Sequence, residues 1–170
     1  SLRHPHSQII ALPMVPMQIE DRLRAYREHY EARGHCLMCE TIAAEIEQES
    51  RIVQQSRHFV SMIPYAALSP FHLWVFPLRH SSGFGDITGE ERRDLAGHLH
   101  GLLKRLNRGL DDPSYNLVLR SDAAGDLAHM HWYISIVPRL AMPAGFELGS
   151  GMYINSAMPE ESAAFLRDFG

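Results

Sequence analysis

Two short stretches of the sequence carry residue types that do chemistry. Cys36-Leu37-Met38-Cys39 sets two thiols three residues apart, just after Gly34. This spacing points to a shared metal ion rather than a disulfide, provided a loop or helix start holds both thiolates. A tetrahedral zinc needs two more donors. His80, closing Pro77-Leu78-Arg79-His80, and His131, opening a strand-like run, both fall at strand–loop junctions where side chains can converge. His129 rivals His131: on an extended chain both point to one side, so it either stands in or lies behind. His35 adjoins the motif, but adjacency strains the geometry. The plain alternative is two buried free cysteines near unrelated histidines.

The second stretch is His4-Pro5-His6-Ser7-Gln8. A neutral imidazole is a good nucleophile toward phosphorus when a hydrogen bond fixes its tautomer. His4 and His6 face one side of an extended chain, and Pro5 stiffens the link. The Gln8 amide can donate to a phosphoryl oxygen as negative charge develops. The plain alternative is a terminal histidine cluster, although Ser-Gln-Ile-Ile-Ala-Leu-Pro does not look like a tag or linker. A third stretch, Gly145-Phe146-Glu147-Leu148-Gly149-Ser150-Gly151, reads as a loop whose glycines let backbone N–H groups approach a sugar or phosphate. Glu147 there can accept from sugar hydroxyls and Asn155 can help; otherwise the stretch is a simple glycine turn.

These groups need elements to position them. Residues 9–12 read as an edge or terminal strand closed by Pro13 and Pro16. Ile19, Leu23, Tyr26 and Tyr30 recur at helical steps over 18–33, with Gly34 as the stop, and a second helix covers 41–48. Residues 51–54, 58–63 and 71–76 read as strands, and 80–85 as a Gly/Ser loop. Thr88 with Glu91 forms a capping box for a long helix to about 110, with a leucine stripe from Leu95 to Leu106. Strands follow over 115–120 and 131–137, then a short C-terminal helix over 159–168 with Pro at its start. His72 alternates with apolar neighbours and is expected on a solvent face; His98 and His100, two apart on a helix, are expected to be structural. The sum is an α+β domain, an antiparallel sheet of about five strands with helices packed on one side.

The chain has 170 residues, a formal charge of −4, and 45% hydrophobic against 21% charged residues, which suits one ordinary globular domain rather than a disordered or fibrous chain. Its mild acidity argues against nucleic-acid binding, and no apolar run reaches the ~20 residues of a membrane span. Eleven histidines exceed what packing requires. The sequence begins at Ser1, without Met or signal peptide and already inside a motif, so a piece of something longer is expected.

His4-Pro5-His6-Ser7-Gln8-Ile9-Ile10-Ala11-Leu12-Pro13 resembles the active-site segment of galactose-1-phosphate uridylyltransferases. That family is a branch of the histidine-triad superfamily that includes ADP-glucose phosphorylase-like enzymes. Further matches run through Arg79-His80-Ser81-Ser82, Pro113-Ser114-Tyr115-Asn116, His131-Trp132, Pro138-Arg139-Leu140 and Tyr153-Ile154-Asn155, covering nearly the whole chain. The resemblance implies two histidine-triad-like halves in a chain of roughly twice this length. Residues 1–16 would then be the last strand of an N-terminal half, and 17–170 the C-terminal histidine-triad-like domain.

Under that resemblance His6 is the covalent nucleophile, Gln8 stabilises the transferred phosphoryl and Ser7 sits beside it. His4 completes one zinc site with ligands from the other half, and Cys36, Cys39, His80 and His131 match a second zinc site of some branches; both zincs are structural. Phe146, Glu147, Gly149, Gly151 and Asn155 belong to hexose-phosphate recognition. One departure is Tyr133, where many relatives keep a second histidine, so this half keeps the metal and lacks a nucleophile. The implied reaction moves UMP between a nucleotide sugar and a hexose 1-phosphate, as in galactose metabolism. Alternatives are an ADP-sugar phosphorylase, a triad-type nucleotide hydrolase or a non-catalytic zinc-stabilised module. A cytoplasmic homodimer of the full-length protein is expected, with the isolated 170 residues weakly active or inactive.

Overall fold

The computed structural model describes residues 6–10, 12–122, 127–140, 142 and 144–170. Pro16, with its φ of −61°, stands at the N-cap of α1 (Met17–Arg33), and Gly34 closes that helix in the left-handed region at φ 76°. Cys36 is the N-cap of α2 (Leu37–Gln48), so this helix starts inside the C-x2-C motif, four residues before the sequence-based start at Thr41. The reason is local: the Thr41 hydroxyl donates back to the Leu37 carbonyl at 2.9 Å, a bond made within a helix and not at its cap.

Five strands follow: β1 (Ile52–Gln55), β2 (Phe59–Met62), β3 (Leu73–Pro77), β4 (Tyr115–Arg120) and β5 (Tyr133–Pro138). They form one antiparallel sheet in the order β1-β2-β3-β5-β4. Between β3 and β4 runs α3 (Gly89–Gly109), opened by the expected capping box: Thr88 accepts from the Glu91 N–H, and the Glu91 carboxylate accepts from the Thr88 N–H. After β5 come α4 (Gly145–Ser150) and α5 (Pro159–Arg167). The architecture is α+β, as expected.

The expectation of helices on one side of the sheet is corrected. Phe59, Leu73, Val75, Ile134 and Ile136 pack against Leu95, Leu102 and Leu106 of α3 and Ala163 and Leu166 of α5. The alternate residues Val60, Met62, Phe76 and Tyr133 pack on the other face against Tyr26 of α1 and Met38 and Ile42 of α2. Strands covered on both faces lose the apolar–polar alternation, which is why β2 and β5 are buried almost throughout. β4 is an edge, with Tyr115, Leu117, Val118 and Leu119 exposed.

His72 is likewise corrected: it is buried, not on a solvent face. Its Nδ1 accepts from the Leu68 N–H at 3.3 Å, so its Nε2–H donates to the Ser135 hydroxyl at 2.8 Å. Burial, helped by nearby Arg120, pushes its pKa down to about 4. His98 is structural as expected. It is buried between Ser56 and Ser61, and the Ser56 hydroxyl donates onward to Asp94 at 2.8 Å. That direction makes His98 Nδ1 a donor and Nε2 an acceptor, a neutral ring, and burial lowers its pKa to about 4. Residues 6–10 and 12 form no helix or strand, and Ile9, Ile10 and Leu12 are exposed. The strand expected over 9–12 therefore has no ladder within this chain's sheet, and Ala11 lies outside the described residues.

Candidate functional site

The pairing of β3 with β5, Leu73 opposite Ile136 and Val75 opposite Ile134, sets the end of β3 beside the start of β5. The Trp132 N–H donates to the Ser81 carbonyl at 2.9 Å and extends that junction past the ladder. Two histidines 51 positions apart in sequence thus become neighbours: the rings of His80 and His131 are 5.3 Å apart and nearly perpendicular. The first turn of α2 brings Cys36 and Cys39 to the same point. One donor atom from each of Cys36, Cys39, His80 and His131 lies within 4.8 Å of every other.

The distances suit a common ion. Cys39 Sγ is 3.3 Å from His80 Nδ1 and 3.4 Å from His131 Nδ1. Sulfur and nitrogen donors about 2.3 and 2.0–2.1 Å from a tetrahedral zinc stand about 3.5 Å apart. His131, fully buried, donates its Nε2–H to the Pro77 carbonyl at 3.0 Å, which leaves the Nδ1 lone pair directed at the cluster. A hydrogen bond from Cys39 outweighs burial and holds the Cys36 thiol well below its ordinary range. Cys39, donating to Cys36 and desolvated, is pushed up. Two thiol and two imidazole donors fit a metal that takes mixed sulfur and nitrogen ligands.

The junction is braced from α3. Arg79, the residue before His80, donates from Nε to Glu91 Oε1 at 2.8 Å and from a terminal nitrogen to Oε2 at 3.1 Å. This bidentate pair, with the Thr88 N–H, pulls the Glu91 carboxyl down to about 2.

The other expected site residues stand apart from this cluster. His4 lies outside the described residues. His6, Ser7 and Gln8 are exposed on the stretch ahead of α1. Of the two rival histidines, His131 joins the cluster and His129 does not; His129 Nε2 is enclosed without a hydrogen-bond partner. His35 is exposed and pairs with Glu40. The glycine-rich stretch is a helical turn, not an open loop. The Glu147 carboxylate accepts from the Ala144 N–H at 3.0 Å, and Gly151 stops the turn at φ 71°. Phe146, Gly149 and Gly151 are exposed there, and the Asn155 side chain accepts from the Ala157 N–H at 3.1 Å. Tyr133 is a core residue, with ring centroids 5.0 Å from Phe76 and 5.2 Å from Trp74. The Pro77 carbonyl carries no sequence signal, because every residue offers the same backbone acceptor.

Comparison with known proteins places this geometry. The family described as galactose-1-phosphate uridyl transferase, C-terminal domain, matches residues 21–168. The chain is 36% identical over 172 residues to an ADP-glucose phosphorylase of Arabidopsis thaliana, covering 99% of this chain and 48% of that protein. It is 31% identical over 178 residues to a galactose-1-phosphate uridylyltransferase of Thermotoga maritima, covering 99% and 55%. A solved uridylyltransferase structure superposes with a TM-score of 0.90 at 32% identity, over 99% of this chain and 55% of the other. A zinc-bound histidine triad family protein of Mycobacterium smegmatis, 18% identical with a TM-score of 0.56 over 79% of this chain and 91% of its own, shares the fold. The chain spans about half the length of the curated relatives it matches. With the family matched across both strands and helices that build the Cys/His cluster, the chain belongs to the galactose-1-phosphate uridyl transferase family, in the part that is its C-terminal domain.

Proposed function

We propose that the protein is a nucleotidyltransferase that passes a nucleoside monophosphate, UMP in the first reading, between a nucleotide sugar and a hexose 1-phosphate through His6. In the first half-reaction the His6 imidazole attacks the α-phosphorus, a P–N bond forms, and the bond from the α-phosphorus to the bridging oxygen breaks, releasing the sugar 1-phosphate. In the second, a phosphate oxygen of the acceptor hexose 1-phosphate attacks the same phosphorus and His6 leaves. Gln8 donates to the charged phosphoryl oxygens, with Ser7 beside it. Phe146, Glu147, Gly149, Gly151 and Asn155 serve the sugar phosphate. The observation that carries the reading is the extent of the likeness: relatives named for this chemistry align over 99% of the chain, a span that takes in the His4-to-Gln8 motif.

Zinc is the ion we assign to Cys36, Cys39, His80 and His131. Four protein donors complete a tetrahedral set, so the bound ion supplies a cross-link between α2 and the β3–β5 junction. His4 serves a separate zinc site with an N-terminal half, for which residues 1–16 supply a strand. The exposed apolar residues of β4, and Ile9, Ile10 and Met14, are surface that such a half would cover. The two free thiols suit a reducing compartment such as the cytoplasm, and a homodimer is the proposed assembly.

A second reading, ADP-sugar phosphorolysis, is favoured by the 36% identity to the ADP-glucose phosphorylase. It differs only in the base and in the acceptor, inorganic phosphate in place of hexose 1-phosphate. The test is isotope exchange in the full-length protein: labelled glucose 1-phosphate should enter UDP-glucose with no second acceptor present. Exchange into ADP-glucose alone selects the second reading, and no exchange into either overturns both.

A further inference from the structure

Outside the Cys/His cluster, His29 on α1, His35 in the connection and Glu40 on α2 bring three ligand atoms within 4.8 Å of one another. A single carboxylate oxygen, Glu40 Oε2, stands 2.9 Å from His35 Nε2 and 3.0 Å from His29 Nε2. His35 Nδ1 lies 2.9 Å from the Arg33 carbonyl and donates to it, so in the neutral ring Nε2 carries a lone pair, facing an oxygen that also has only lone pairs. His29 Nε2 is enclosed and makes no hydrogen bond, although that oxygen is within reach. Its ring direction therefore passes to one side of the oxygen. The two rings meet edge to face, with centroids 5.4 Å apart. Two nitrogens and one oxygen arranged in this way resemble donors around a shared cation. With bonds of about 2.0–2.1 Å, neighbouring ligands stand about 3.0 Å apart at a right angle and about 3.4 Å apart at the tetrahedral angle.

We propose that His29, His35 and Glu40 form a second, outer site for a first-row divalent cation such as zinc, completed by water. Two imidazoles and a carboxylate are borderline donors that suit zinc, iron(II) or cobalt(II) over magnesium or calcium. His35 and Glu40 are exposed, which leaves the remaining coordination positions to solvent and makes the ion exchangeable. The outer site flanks the inner one along the chain: His35 precedes Cys36, and Glu40 follows Cys39. The first turn of α2 thus presents a thiolate to one ion and a carboxylate to the other. The outer site does not depend on the transfer reaction proposed above.

Equilibrium dialysis of the protein against zinc, with metal counted by elemental mass spectrometry, tests the site. The His29→Asn/Glu40→Gln variant should bind one equivalent fewer than the parent, and so should His35→Asn, whose side chain is exposed and whose loss leaves the core intact. Equal stoichiometry in parent and variants overturns the proposal. Cobalt(II) separates the two sites, because only the inner one carries thiolates. Cys39→Ser should weaken the sulfur-to-cobalt charge-transfer absorption yet keep the equivalent that His35→Asn removes; if His35→Asn removes nothing in the Cys39→Ser background, the outer site is refuted while the inner one stands.

Discussion

His131 donates its Nε2–H to the Pro77 carbonyl at 3.0 Å, and that one bond decides what its other nitrogen can do. With the proton held on Nε2, Nδ1 is a free lone pair 3.4 Å from Cys39 Sγ, aimed where His80 and Cys36 also converge. The acceptor is the last residue of β3 and the donor stands just ahead of β5, so the register of the sheet selects the tautomer of a candidate ligand.

Removing the zinc proposed for Cys36, Cys39, His80 and His131 should therefore loosen the α2–sheet contact. A ligand at 100 times its dissociation constant adds about 2.7 kcal/mol to the folded state, and a domain of this size shifts by about 2–4 °C per kcal/mol. Chelation is expected to lower the melting temperature by about 5–10 °C, with zinc restoring it. Cys39→Ser should melt at the lower value with or without the chelator, as scanning fluorimetry would show.

Glu91 serves two masters, the N-terminus of α3 and Arg79 beside His80. Thr88→Ala removes one cap bond and should cost about 1 kcal/mol. Glu91→Ala removes the reciprocal cap and a bidentate pair whose carboxylate is buried, so about 2–3 kcal/mol is expected. It should also free the His80 junction and weaken zinc binding about tenfold, whereas Thr88→Ala leaves zinc affinity unchanged. Denaturant melts and zinc competition on the two variants separate these effects.

The neutral, buried His72 and His98 predict a specific acid weakness. Each has a folded pKa near 4, against about 6.5 in the unfolded chain. Between these values the unfolded state binds more protons, so stability is full above pH 6.5 and falls as the pH drops toward 4. The loss approaches about 3 kcal/mol per histidine. Urea unfolding at pH 7.5 and 5.0 should show this decline, and His98→Gln should flatten it even if that variant is less stable at both pH values.

Leu102 is fully buried between α3 and the sheet, and Leu102→Ala should cost about 2–5 kcal/mol by leaving a cavity. Leu103, one residue on, is only partly buried, and Leu103→Ala should cost clearly less by the same measurement.

Much of this was legible in the residues. Thr88 and Glu91 announced the start of α3, Gly34 the end of α1, and the C-x2-C spacing named half of a side-chain cluster that could hold a metal. What stayed hidden depended on long-range pairing. His72 looked solvent-facing because strand alternation assumes one wet face, whereas here both faces are covered and the ring is held between the Leu68 N–H and Ser135. His129 stood as a rival to His131 in sequence, and the β3–β5 register brings only His131 to the cluster. The start of α2 at Leu37 carries no sequence signal, because its N-cap Cys36 makes no side-chain cap bond. The glycines at 145 and 149 suggested an open loop, but the Glu147 cap and the left-handed Gly151 fold the stretch into a turn of helix.

The account turns on His6, and the most direct measurement is peptide mapping by mass spectrometry of the full-length protein after incubation with UDP-glucose or ADP-glucose and removal of free nucleotide. A nucleoside monophosphate on the peptide that carries His6, lost on adding sugar 1-phosphate or inorganic phosphate and absent in His6→Ala, is the predicted result. An unmodified His6 peptide under conditions where the protein turns these substrates over, or an adduct on another residue, would contradict it.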